Sequence, residues 1–259
     1  NDMSNVRKKP LHWVRLDNAA KIYPAARRKN WSNVYRQSVT LYEEVDVSGL
    51  QSALDATVGR FPSIAARLRK GVFWYYLQQV DAAPEISEEY SYPLVYMSDK
   101  EMAKCALRVI VYHNRIAVEF FHALTDGTGG SIFLKTLLCA YVEEKYGVQI
   151  PKECGILDPS KEPSREELED AFLRYATPLG EKRSTSPAFS LQGKPEKDGY
   201  INVTGCAIPL QDALRKAKEY KVSLTCLLSA ALVYTLCQIQ REKCAPNLER
   251  AVRVQIPAN

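Results

Sequence analysis

The stretch that most constrains the fold runs from Ile116 to Tyr146. An apolar, β-rich run (Ile116 to Phe121) delivers the chain to His122, Asp126 and the glycines Gly127, Gly129 and Gly130. Ile132, Phe133, Leu134, Leu137, Leu138, Tyr141, Val142 and Tyr146 follow at helical spacing, apolar over much of the circumference, with Gly147 as a stop signal. A helix with that pattern has to be buried, and the strand before it supplies a sheet to bury it against.

The surrounding sequence supplies the sheet. Val34 to Val45 is rich in β-branched and aromatic residues and predicts a strand. Ser48 reads as the N-cap of a helix carrying Leu50, Ala53, Leu54, Thr57 and Val58 on one face. Ile64 to Gln79 reads as a hairpin broken at Lys70 and Gly71, and 103–112 with 116–121 as a second pair of neighbouring strands. Residues 148–198 carry many prolines and charges, interrupted by a helix that a capping-box pattern opens at Ser164 and Glu167 and that runs toward Tyr175. Beyond lie an expected strand at 200–209, a short helix at 210–220, Ser223 as a cap, an apolar helix at 224–239 and a last strand at 251–256. The expectation is an α/β fold in three parts: an N-terminal subdomain at 1–175, a linker at 176–198 and the opening of a second subdomain at 199–259.

Composition narrows the function classes. With 46% hydrophobic and 25% charged residues, the 259-residue chain can bury a core. A formal net charge of +5, scattered along the chain, does not argue for nucleic acid. No window approaches the roughly 18 apolar residues that a spanning helix needs, and the first ten residues carry no apolar leader core, which reads as a soluble, cytoplasmic protein. Seven cysteines without a C-x-x-C pair read as reduced core thiols, and histidines at 12, 113 and 122 without metal spacing give no metal site.

His122 is the best candidate for chemistry. Histidine accepts and returns protons near neutral pH because its ordinary pKa is about 6.5. A strand end fixes its backbone, and neighbouring glycines allow close approach of a substrate. The bare pattern is equally met by an N-capping Asp126, glycines that merely turn the chain, and a histidine satisfied within the core. Phe73, Trp74, Tyr75 and Tyr76 read as core more than as an acceptor site. Ser131 and Ser229 lack the G-x-S-x-G elbow, the glycines only loosely resemble a phosphate cradle, and Arg27, Arg28 and Lys29 read as a solvated loop able to attract phosphates.

The segment FFHALTDGTGG resembles the H-x-x-x-D-G motif of the CoA-dependent acyltransferase superfamily, which includes chloramphenicol acetyltransferase and peptide-synthetase condensation domains. LDNAAKIYP, RFPSIAARLRKGVFWYYLQ and VRVQIPAN look like segments of bacterial alcohol-acetyltransferase-like proteins in the same order, so the resemblance covers most of the chain. It implies a chloramphenicol-acetyltransferase-like mixed sheet with packed helices. It also implies His122 as the base that deprotonates an acceptor alcohol or amine for attack on an acyl thioester. Asp126 would be structural, paired with a basic residue, and Gly127 would leave room beside the base. No bound cofactor or metal is implied; acyl-CoA, acetyl-CoA above all, would be a co-substrate. Phe121 stands where many condensation domains have a first histidine, which argues against a condensation-type amide- or ester-forming domain more than against acyl transfer. A non-catalytic scaffold that kept the fold is the reading from another class. Because a D-F-G-W-G-type segment is absent, the chain is expected to hold the first subdomain and only the start of the second. By itself it should then self-associate, with weak acyl-CoA affinity and no measurable transfer.

Overall fold

The computed structural model describes residues 13–17, 20–29, 31–169, 187–194, 196–197, 200–245 and 248–256. These fall into two units, one within Asn1–Thr177 and Glu196–Ile201, the other within Pro178–Pro195 and Asn202–Asn259. The first is the α/β body expected from the sequence.

Its main sheet has the order β2 (Val34–Thr40), β7 (Arg115–Phe121), β6 (Leu107–Tyr112), β5 (Ser87–Glu88), antiparallel except for the parallel β5–β6 pair. A smaller antiparallel sheet runs β1 (Trp13–Arg15), β4 (Tyr75–Gln79), β3 (Ala66–Lys70). The β3–β4 hairpin turns through Gly71, whose N–H donates to the Trp74 carbonyl at 2.7 Å; a Cβ there would stand 2.9 Å from that same oxygen. The turn is longer than Lys70 and Gly71 alone, so Val72 and Phe73 are over 90% exposed and Trp74 is 45% exposed rather than in the core.

Alternation along β7 settles which face is which. Ile116, Val118 and Phe120 join the core with Leu107, Val109 and Val111 of β6. The long helix α4 (Gly127–Tyr146) packs there, its Phe133 ring edge-on to Phe120 at 5.8 Å and to Phe61 at 5.2 Å. It ends at Gly147 in the left-handed conformation at φ +64°, as its position predicts. Helix α2 (Val47–Val58) lies against α4 through Leu50, Ala53, Leu54 and Thr57, the face read from the sequence. Its cap is Asp46 rather than Ser48: Asp46 Oδ1 accepts the Ser48 N–H at 3.0 Å and its hydroxyl at 2.6 Å, because a carboxylate two residues upstream reaches the free donors better than a residue already inside the first turn.

Three further expectations are corrected. Residues 99–104 form a helix, α3 (Asp99–Lys104), opened by a Ser98–Glu101 capping box, so the strand expected from 103 begins at Leu107. Among the described residues no strand forms at 200–209 or at 251–256; only an isolated parallel bridge joins Ala188 to Ala251, since apolar sequence makes a strand only where a partner ladder takes up its backbone groups. Of the seven cysteines, all free, only Cys105 and Cys139 are buried, while Cys154, Cys206 and Cys226 are exposed. Cys154 sits in a loop, Cys206 in the irregular 200–209 segment and Cys226 in the first turn of a surface helix. Burial pushes the Cys105 thiol up to about 11, against weaker help for its charged form from the Leu107 amide and Arg67.

The capping box at Ser164 is present and opens a short helix, α5 (Arg165–Leu168); its expected continuation toward Tyr175 lies outside the described residues. In the second unit, α6 (Leu210–Glu219) precedes α7 (Leu224–Lys243), which Ser223 caps by accepting the Cys226 N–H at 3.1 Å. Helix α7 leaves Leu228, Leu232 and Tyr234 exposed. No single helix among the described residues is long and apolar enough to cross a membrane.

Candidate active site

His122 follows the last residue of β7, and α4 starts five residues later. The backbone there is tied to the start of β2: the His122 N–H donates to the Asn33 carbonyl at 2.8 Å, and Asn33 Nδ2 donates to the Tyr23 carbonyl at 2.8 Å. Asn33 adopts φ +54°, a left-handed conformation that asparagine tolerates better than most residues. One residue thus joins the helix α1 (Ile22–Ala26), which carries Tyr23, to the end of the β7 strand.

The imidazole is half-buried between two tyrosines. Tyr23 stacks on it with ring centroids 4.5 Å apart and planes within 4°, and Tyr35 lies 4.9 Å away, tilted by 55°. Among the described residues neither ring nitrogen of His122 has a hydrogen-bond partner. Orientation therefore comes from ring packing rather than from an acidic partner, and both nitrogens are left for a ligand.

Asp126 behaves as a helix cap. Its Oδ1 accepts the Gly129 N–H at 2.8 Å, and its backbone carbonyl accepts the Tyr35 hydroxyl at 2.5 Å and the Gly130 N–H at 3.0 Å. The basic partner that the resemblance implied is absent among the described residues, because the carboxylate turns onto the amides at the exposed helix start. Burial first, and the Asp126 charge second, hold the Tyr35 phenol well above its ordinary pKa of 10, so it stays a donor. Gln37 Nε2 donates to the Gly127 carbonyl at 2.8 Å and to Ser131 Oγ at 3.1 Å, which pins the start of α4 to β2. Gln37 Oε1 is buried without a partner.

The glycines have separate reasons. A Cβ at Gly130 would stand 2.7 Å from Tyr35 Oη and 3.2 Å from Gln37 Oε1, so the close approach of β2 to α4 requires glycine there. At Gly127 the nearest atom to such a Cβ is 4.0 Å away, so packing within the chain does not require it.

Asp126→Ala is expected to lower stability by about 1 kcal/mol, within the usual range for a lost N-cap, and Asp126→Asn to restore most of it, since asparagine caps as well as aspartate. Urea denaturation of the two variants checks this. Equal losses would mean that the charge, rather than the cap, matters.

No family model and no curated protein sequence matches the chain. Among solved structures it is similar to polyketide synthase associated protein 5 from Mycobacterium tuberculosis, with a TM-score of 0.53 at 16% identity over 89% of this chain and 59% of that one. The two share a mixed α/β fold, here with two sheets and packed helices. The chain spans about three fifths of the length of that protein. Structural neighbours also include the starter condensation domain of rhizomide synthetase (TM-score 0.42, 11% identity, 55% of this chain and 40% of that one). Another is the first condensation domain of the calcium-dependent antibiotic synthetase (0.40, 14%, 54% and 40%).

Of the residues singled out from the sequence, His122, Asp126 and Gly127 lie together at the β7–α4 junction. Ser131 joins them through Gln37, whereas Ser229 lies in the second unit. His113 is exposed beside Glu44, and His12 lies outside the described residues. Sequence reasoning missed Tyr23, Asn33 and Gln37. Asn33 just precedes an apolar strand, Gln37 lies within it and Tyr23 lies on the short helix before it; which loop Gln37 faces depends on the β2–β7 register, Tyr35 opposite Phe120 and Gln37 opposite Val118.

Proposed function

We propose that His122 is the general base of an acyl transfer from a thioester to an alcohol or amine, in the full-length protein. The observation that carries this reading is the half-buried imidazole held by ring packing with both nitrogens free among the described residues. The acceptor O–H or N–H gives its proton to the imidazole as its oxygen or nitrogen attacks the thioester carbonyl. Collapse of the tetrahedral adduct breaks the C–S bond, and the imidazolium returns the proton to the departing thiolate. The thioester is already activated, so the protein has only to align two substrates and move one proton. Asp126 and Gln37 hold the start of α4, and Tyr23 and Tyr35 hold the ring. The donor on this reading is acyl-CoA, with acetyl-CoA as the simplest case, and no metal or resident cofactor takes part.

Full-length protein incubated with acetyl-CoA and a panel of alcohols and amines is expected to release free thiol only when an acceptor is present. Saturable acetyl-CoA binding by calorimetry, with no acceptor-dependent release across the panel, would favour the scaffold instead.

A further inference from the structure

The turn of the β3–β4 hairpin carries the side chains least expected in water. A single exposed apolar residue needs no explanation, but Val72, Phe73 and Trp74 follow one another, and none of the three joins the core. The Gly71 N–H bond to the Trp74 carbonyl closes the turn beneath them.

The strands behind the turn are cationic. Residues 61–80 include Arg67, Arg69 and Lys70 and no acid. Directly opposed residues of antiparallel strands share a face, so Arg15 of β1, Tyr76 of β4 and Arg69 of β3 form one row, on the face away from the buried Leu68 and Leu77. Lys70 and Tyr75 form the next row toward the turn and point to the other face. Arg69 Nε donates to the neutral Gln78 at 3.2 Å, and among the described residues Arg15, Arg69 and Lys70 have no acidic partner. Asp81, just beyond β4, pairs with Arg67 at 3.5 Å, and Asp99, which lines a cavity together with Lys70, pairs with Arg27. Cations on both faces do not converge on a compact anion. They suit a plane of negative charge that the hairpin enters end-on, the apolar turn leading. The two rows are about 3.4 Å apart along the strands, so both fit the layer of about 5–10 Å in which interfacial elements sit. Tyrosine and tryptophan rings favour that layer, and arginine and lysine stems lie along apolar surface while their charged ends stay among headgroups.

We propose that the β3–β4 turn attaches the protein to an anionic lipid surface, with Val72, Phe73 and Trp74 at the boundary of headgroups and acyl chains and Arg15, Arg69 and Lys70 against lipid phosphates. This is attachment to a surface and not a span, and it does not depend on the reading of His122.

Co-sedimentation of the full-length protein with lipid vesicles tests it. Vesicles of phosphatidylcholine and phosphatidylglycerol in equal parts should bind it, vesicles of phosphatidylcholine alone far less, and salt should weaken the binding. Phe73→Ser should weaken it by about tenfold or more, and Arg15→Gln and Lys70→Gln by about fivefold each. Phe73→Leu and Lys70→Arg should keep it. All of these positions are exposed, and circular dichroism checks that the variants stay folded. Brominated acyl chains should quench the tryptophan fluorescence, and Trp74→Phe should remove most of that quenching while the protein still sediments. His122→Ala should bind vesicles as the wild type does, which separates this surface from the proposed active site. No sedimentation with the anionic vesicles, binding undiminished by Phe73→Ser, or quenching unchanged by Trp74→Phe would overturn the proposal. So would self-association without lipid that Phe73→Ser abolishes, since the turn would then serve a second copy of the chain.

Discussion

Replacing His122 with alanine in the full-length protein is expected to lower acyl transfer by about 10²- to 10⁴-fold, the usual worth of a positioned general base. The fold should survive. The backbone N–H that donates to the Asn33 carbonyl remains, and among the described residues the imidazole makes ring contacts with Tyr23 and Tyr35 but no hydrogen bond. Losing those contacts is worth about 0.5–1.5 kcal/mol beyond the area they bury. The decisive comparison is therefore acceptor-dependent thiol release set against the thermal midpoint, variant beside wild type. A variant that folds and keeps most of its turnover would remove His122 from the chemistry.

Glu119→Ala is expected to be the most destabilising single change on the other face of the same sheet, by about 3–5 kcal/mol. Glu119 is 1% exposed, and its carboxylate accepts from Arg36 Nε and Nη2 at 2.9 and 2.7 Å, Arg108 Nη2 at 2.6 Å and the Leu94 N–H at 2.8 Å. Removing it takes a shared acceptor from two largely buried guanidinium groups and an amide, leaving Arg36 with Glu89 and Arg108 with the Val95 carbonyl and Glu101, and the unmet donors outweigh the modest net worth of the ion pairs themselves. Glu119→Gln keeps the shape and part of the acceptor capacity and should fall in between. Urea midpoints at neutral pH measure both, and a loss under about 1 kcal/mol for the alanine variant would mean the arginines find water or other partners.

The neighbouring Glu89 adds a pH signature to the same network. Burial raises its pKa, but hydrogen bonds and charge from Arg36 and Arg115 outweigh burial and hold it below the ordinary 4.5. Its contribution is thus present above about pH 4.5 and is lost as the pH falls through the lower folded value. Glu89→Gln should flatten the acid limb of the stability curve.

Local elements were legible because their causes are local. The helix at Gly127–Tyr146, its glycine stop, the buried face of α2, the β6–β7 pair and the two capping patterns at Ser164 and Ser223 all follow from side-chain periodicity and from donors left open within a turn. So did the position of His122 between a strand and a helix. The misjudged strands at 200–209 and 251–256 mark the limit of that reasoning: apolar composition says that a segment wants burial, whereas a strand exists only if another backbone arrives beside it.

Everything that surrounds His122 was settled at long range. Tyr23 and Tyr35 lie about ninety residues or more from it in the chain; Tyr23 is held beside it through Asn33, and Tyr35 reaches it because β2 pairs with β7 in one register, where a shift of one residue would have turned Tyr35 and Gln37 to the opposite face and left the start of α4 unpinned. The sequence by itself determined that a histidine would end a buried strand before a glycine-opened helix. Only the tertiary structure decided that two tyrosines would hold its ring and that Asp126 would cap a helix instead of pairing with a basic residue, because those outcomes depend on which distant groups the sheet brings within a few ångströms.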